Sequence, residues 1–203
     1  MPPTPRSLAR LERSIVACRK CPRLRAHCER IAIEKKRAYR DQVYWGKPVP
    51  GFGDPEARLF IVGLAPAAHG GNRTGRDDGV VLTDCFISAS ARCAPPANRP
   101  TRRELESCRP FLVAEMALLS RMEIVLTLGG IAHEAWLRAA GWWKEMPPRE
   151  RPGFRHAGEW ELPDGRMLVS AYHPSRQNTN TGRLTRAMWH AVFRRLRARL
   201  DGD

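Results

Sequence analysis

The sequence predicts an α/β fold, a three-layer α/β/α sandwich around a mainly parallel sheet of about four strands. Three observations predict it. Four short apolar runs, RLFIVGL (58–64), VVLTDCFISASA (80–91), EIVLTLGG (123–130) and MLVSAYHP (167–174), have the length and continuity of strands buried on both faces. Helical patterns lie between and after these runs. The runs empty into loops rich in Gly, Pro and Ala, and the sharp motifs lie at such ends, where open α/β sheets place function.

Along the chain, Ser7 to about Arg37 carries Leu8, Leu11, Ile15, Leu24, Ile31 and Ile33 among Arg and Lys, a basic amphipathic helix interrupted near Pro22. VYWGKPVPGFGDPEA (43–57) is punctuated too densely by Gly and Pro for a regular element and reads as an ordered loop. Thr101 to about Ser120 and Ile131 to Ala140 follow a helical period, and a basic helix closes the chain over 185–200. Trp142 and Trp143 follow a predicted helix and read as core or rim packing.

No repeat or shift in composition divides the chain, so one domain over 1–203 is expected. With 35 Lys and Arg against 21 Asp and Glu the net charge is +14, a field that recruits polyanions, nucleic acid first. Many soluble basic proteins share such a charge, so the motifs must decide. The first twenty residues hold no secretory apolar region and no stretch is long enough to span a bilayer, which predicts a cytoplasmic protein without a membrane partner.

Six cysteines in a reducing compartment read as a metal or cluster site before disulfides. Cys18-Arg-Lys-Cys21 supplies two thiolates from one turn, and Cys93 and Cys108, separated by APPANRPTRRELES, supply two more. Zinc and a [4Fe-4S] cluster both fit four thiolates, and spacing does not choose between them. Cys28, two helical turns after Cys21, and Cys85, inside an apolar run, read as small buried hydrophobes.

Two loops carry further chemistry. GLAPAAHGGNRTGR (63–76) has the Gly content that lets backbone approach a ligand, but neither the Lys-Ser/Thr of a nucleotide loop nor a GxGxxG order; its His69 reads as a spacer at least as readily as a catalyst. YHPSRQNTNTGRLT (172–185) places His173 in a turn stiffened by Pro174, then a polar run and Leu184 between Arg183 and Arg186. That pattern suits a charge-stabilising histidine beside a DNA-inserting loop, or an idle loop with a helix-capping Thr.

These motifs, with CAPPANRPT (93–101) and IVACRKCPRL (15–24), resemble the family 5, or type B, uracil-DNA glycosylases over nearly the whole chain. The resemblance implies a monofunctional glycosylase acting on uracil, and often on hypoxanthine or other deaminated bases, in DNA. It implies a structural [4Fe-4S] cluster on Cys18, Cys21, Cys93 and Cys108, and a monomer in the cytoplasm that is nucleoid-associated during repair. Carried over by position, His173 stabilises the charge developing on the base and Asn98 is catalytic. Gly63, Leu64, Ala65, Pro66 and Ala67 contact the base through backbone. Ala89 stands where related enzymes read uracil with an asparagine. Arg73, Arg76, Ser175, Arg176, Gln177, Asn178, Arg183 and Leu184 grip or enter the DNA.

One departure is expected to matter. In that family TGR is followed by an aromatic-containing segment of the type FTGDxSG and a helix, before a strand beginning near DDG. Here Arg76 runs straight into Asp77-Asp78-Gly79-Val80-Val81, and about thirty residues, close to the minimum of a strand-helix-strand connection, are absent. The loss removes a base-stacking aromatic and a carboxylate, and leaves too few residues between Arg76 and Val80 for a crossover, so one sheet face is expected to lie uncovered. Asp77 or Asp78 is a poor substitute for the acid, because a displaced carboxylate seldom recovers the needed geometry. An inactive paralogue, a remodelled enzyme and an incomplete record of the chain all fit the departure. Two other functional classes stand beside the enzyme: a non-catalytic DNA-binding relative and a zinc-stabilised structural protein.

Overall fold

The computed structural model describes residues 7–75 and 79–202. The basic N-terminal segment forms α1 (Leu8–Val16), capped by the Ser7 side chain, and α2 (Pro22–Glu34). Pro22 opens α2 because the first helical position needs no N–H, so the proline that ends one helix starts the next. After β1 (Phe52–Gly53), β2 (Leu59–Gly63) and the one-turn α3 (Gly71–Thr74) come β3 (Cys85–Ala89) and α4 (Arg102–Leu118). A capping box between Thr101 and Glu104 fixes the start of α4. Then follow β4 (Ile124–Leu128), α5 (Gly130–Ala139), α6 (Trp142–Glu145), β5 (Gly158–Glu161), β6 (Met167–Ala171), α7 (Arg176–Asn180) and α8 (Arg186–Asp201).

The sheet runs β1-β3-β2-β4-β6-β5. Its four inner strands are parallel and are the four apolar runs, while β1 and β5 add antiparallel edges that the sequence reading missed. Both edges lack an apolar run. β1 is only two residues in the Gly/Pro loop, and β5 reads Gly-Glu-Trp-Glu. Gly51 and Gly53 make β1 possible: a Cβ at Gly51 would meet Phe86 at 2.5 Å and Glu115 at 2.6 Å, and one at Gly53 would stand 2.2 Å from the Cys85 carbonyl oxygen.

One sheet face, with Phe60, Val62, Phe86, Val125 and Leu168, packs on Leu112 of α4 and Ala132, Trp136 and Leu137 of α5. The other, with Leu59, Ile61, Ile124, Leu126, Val169 and Ala171, packs on Val192 and Leu196 of α8. Trp142 and Trp143 pack on the rim of the first core, with Arg138 and Arg151 over the Trp143 ring, as expected.

The 80–91 run departs from expectation at its start. The strand begins at Cys85, and Val80 and Val81 are exposed. Asp84 is left-handed (φ 56°) and accepts from the backbone and guanidinium of Arg58, so extended geometry cannot continue upstream. The β2–β3 connection also corrects the expected shortfall of residues: β2 and β3 pair in parallel, joined by residues 64–84, which is length enough but, among its described residues, holds only the single turn of α3. The cost shows in burial. Strands β2 and β4 are buried on both faces, whereas β3 alternates, with Phe86 and Ser88 buried and Cys85, Ile87 and Ala89 half-buried. The face expected to lie uncovered is thus half-covered at β3, where Cys85 and Ile87 pack at the edge of the α8 core.

Candidate active site

The inner strands end on one side, and their loops converge there. Gly63 and Ala89 are register partners at the ends of β2 and β3. Past them, Ser90 N–H donates to Gly63 O at 2.9 Å, Ser90 Oγ to the same oxygen at 3.0 Å, and Ala91 N–H to Leu64 O at 2.9 Å. Gly63, Leu64 and Ala89 are thus held together, while Ala65, Pro66 and the exposed Ala67 continue as a loop turned by Gly70 and Asn72 N–H donation to Ala67 O. Two strands away, β6 runs into Tyr172 and His173. Gly129, at the end of β4, donates to Ala171 O at 2.8 Å, and a Cβ on it would sit 3.7 Å from that of His173.

His173 is held by its own carbonyl, which accepts from Ser175 N–H at 2.7 Å and Asn178 Nδ2 at 2.8 Å. Ser175 caps α7 through Asn178 N–H. Among the described residues no hydrogen bond engages the imidazole, and burial pushes its pKa below the ordinary 6.5, so it is neutral at pH 7. Tyr172 is fixed on both sides: its ring stacks on His156 at 5.0 Å, its N–H donates to His156 Nδ1 at 3.2 Å, and the Arg183 guanidinium lies 4.6 Å over it. This brace has no complete local sequence signal, because His156 comes from outside the 172–185 segment that holds Tyr172 and Arg183.

The other DNA-contact candidates divide. Arg176, Gln177 and Arg183 are exposed. Ser175 and Asn178 are spent on bracing His173. Leu184 is corrected: it is 3% exposed, and its N–H donates to Asn178 O, so it anchors the loop and projects no apolar wedge. Arg73 donates to His69 O and Gln42 and lies over Tyr39, which occupies its guanidinium inside the protein. His69 faces Tyr44 Oη at 3.1 Å, in keeping with a spacer. Asn98 sits exposed in a 3₁₀ turn with left-handed φ (54°), and no described hydrogen bond joins it to His173. Arg76, Asp77 and Asp78 lie outside the described residues.

The four cysteines come together from three parts of the chain. Cys18 follows α1, Cys21 caps α2, Cys93 follows β3 and Cys108 lies in α4. Arg23 ties α2 to α4 with two bonds to Glu104, at 2.8 and 2.6 Å. Two of the thiols sense their neighbours: Cys21 is pushed up by burial, Glu104, Cys18 and Cys93, and Cys108 rises to about 11 mainly through burial, with Cys21 and Cys93 contributing. Among the described residues, no three His, Cys, Asp or Glu are drawn in closely enough for a single metal ion. Beside the site, buried Arg92 pairs with buried Glu115 at 2.6 Å, and Glu115 also accepts from Ser88 and from Gly51 N–H. That network joins β1, β3 and α4 directly behind Cys93. Sequence gave no sign of it, since a buried ion pair has no periodicity.

Comparison with known proteins matches residues 76–197 to the model of the uracil DNA glycosylase superfamily. The chain belongs to the uracil-DNA glycosylase superfamily. It is 42% identical to the type-5 uracil-DNA glycosylase of Thermus thermophilus, over 89% of this chain and 92% of the relative. It is 41% identical to that of Mycobacterium leprae, over 93% of each, and 30% identical to a type-4 enzyme of Pyrobaculum aerophilum, over 57% and 62%. The Thermus match spans 208 aligned positions yet contains 89% of a 203-residue chain, about 181 residues, so about 27 positions have no residue here. The same reckoning for Mycobacterium leprae, 218 positions and 93%, leaves about 29. The superfamily match begins at residue 76, where the type-B pattern breaks off in this sequence.

Proposed function

We propose that this chain is a monofunctional DNA glycosylase of base-excision repair that releases uracil, and with an alanine at position 89 also hypoxanthine or other deaminated bases, from DNA. The observation that carries the reading is His173: a neutral, half-buried imidazole at the end of β6, beside Gly129 after β4 and at the same edge of the sheet as the loops that follow β2 and β3. As the bond from C1′ to the base nitrogen breaks, the base takes the electron pair. A neutral imidazole N–H donates to the oxygen where that charge gathers, and water adds to C1′ with loss of its proton. Backbone of residues 63–67 borders the flipped base, and Ala89 leaves its edge unread, which tolerates more than one base. Arg176, Gln177 and Arg183 contact the phosphates; Asn98, Arg73 and Arg76 complete the surface in this reading.

Cys18, Cys21, Cys93 and Cys108 would hold a [4Fe-4S] cluster in this reading. Four thiolates suit zinc as well, and it is the resemblance to the type-5 enzymes that favours the cluster. Arg25 Nη1 and Arg92 Nε are buried donors without partners, the surroundings an anionic thiolate cluster satisfies. Such a cluster serves here as a fold-holding group. The chain acts as a single domain over 1–203 and as a monomer in the cytoplasm, meeting the nucleoid during repair; no helix among the described residues is long and apolar enough to cross a membrane.

A second reading, a DNA-binding relative without turnover, is favoured by the aligned positions that have no residue here, together with the break in the type-B pattern after Arg76. Base release from single- and double-stranded uracil DNA by cluster-loaded protein decides: release supports the enzyme, and salt-sensitive binding without release supports the second reading.

A further inference from the structure

Cys28 brings a fifth thiol to the cysteine site. It follows Cys21 by two turns of α2 and so shares its face of the helix. It is fully buried and packs in one group with Cys21, Cys93 and Ala94. Its Sγ lies 3.7 Å from the carbonyl oxygen of Ala94, the residue after Cys93. Asn72 Nδ2 donates to Cys28 O and fixes this turn of the helix against α3. A second observation points to the same sulfur. Arg25, 9% exposed and one turn before Cys28 on α2, holds Glu29 with Nη2, while Nη1 is buried without a partner. A small buried hydrophobe would need neither sulfur neighbours nor a buried N–H donor left without a partner.

We propose that Cys28 is a reserve ligand of the iron-sulfur cluster, placed to take the iron that Cys93 holds. The proposal rests on the assignment of the cluster to Cys18, Cys21, Cys93 and Cys108. The exchange is a ligand substitution with no change of oxidation state. With a cluster bound, the Cys28 sulfur would replace that of Cys93 on one iron, the proton given up by the Cys28 thiol passing to the released Cys93 thiolate, so that charge is conserved and the guanidinium of Arg25 lies beside the exchange in either arrangement. Cys85 packs in the opposite core, between the sheet and α8, and serves as a control.

The test measures iron and sulfide bound to the purified full chain and the visible absorption of the cluster. The unsubstituted protein, Cys28→Ala, Cys85→Ala and Cys93→Ala are each expected to hold a full cluster, while Cys18→Ala and the double variant Cys28→Ala/Cys93→Ala lose it. In reduced Cys93→Ala the paramagnetic resonance spectrum shifts, because one iron has a new ligand. Loss of iron from Cys93→Ala as complete as from Cys18→Ala, with or without loss of fold, overturns the reserve role while leaving the cluster in place. Absence of iron and sulfide from the unsubstituted chain overturns the cluster assignment itself, and this inference with it.

Discussion

The two halves of the sheet are built to different standards. In the β4–β6 half both faces are covered, by α5 on one side and α8 on the other, and the strands end in a loop pinned at His173 by Ser175, Asn178 and the Tyr172 stack. In the β2–β3 half the same parallel pairing survives, but among its described residues the crossover carries a single helical turn, and β3 is buried on one face and half-buried on the other. The chain thus keeps full cover on the half proposed to stabilise a departing base and has thinned the half that, in the type-B pattern, would stack on it. Parallel pairing does not require a full helical cover; a buried ion network can hold a strand from its other face.

The largest effect should come from removing that substitute support. Glu115→Ala leaves Arg92 buried and uncompensated, and is expected to cost about 3 to 5 kcal/mol in denaturant unfolding. A loss below 1 kcal/mol would show that β3 is held by other means. On the intact half, His173→Ala is expected to slow base release about a hundred- to a thousandfold with little change in stability, as for loss of one charge-stabilising donor. Retained activity would move the chemistry away from β6. A paired comparison sharpens the contrast in cover: Leu126→Ala, fully buried under α8, should cost about 2 to 5 kcal/mol, and Ile87→Ala on the half-buried face of β3 about 1 to 2. Equal losses would mean that the half-buried face is fully covered in solution.

The smallest effect is in pH. Burial lowers the pKa values of His133, His156 and His173, so each is neutral in the folded protein at a pH where the unfolded chain already binds protons. Stability should be flat above the ordinary value of 6.5 and fall as pH drops from there through the lowered folded values. Base release should persist below pH 6.5 before its acid limb appears, because neutral His173 is the working form. An acid limb centred above 6.5 would contradict that protonation state.

The parallel core was legible because continuous apolar runs such as RLFIVGL and EIVLTLGG suit only strands covered on two faces. The start of β3 was not, since apolar Val80 and Val81 lie upstream of the left-handed turn that Arg58 imposes on Asp84. At the site, His173 and the four thiols could be read from local motifs. Leu184 misled because an apolar residue between two arginines looks the same whether it faces DNA or anchors its loop. Arg92, Glu115 and the role of Cys28 emerge only once distant segments meet.

The most direct test of the account is single-turnover uracil release by this chain and by a version carrying, between Arg76 and Asp77 where the type-B pattern breaks off, a segment of about 27 residues taken from the Thermus thermophilus relative. Base stacking is worth roughly 1 to 3 kcal/mol, so the restored chain should react about ten- to a hundredfold faster, with His173 essential in both. Equal rates with and without the segment would contradict the account.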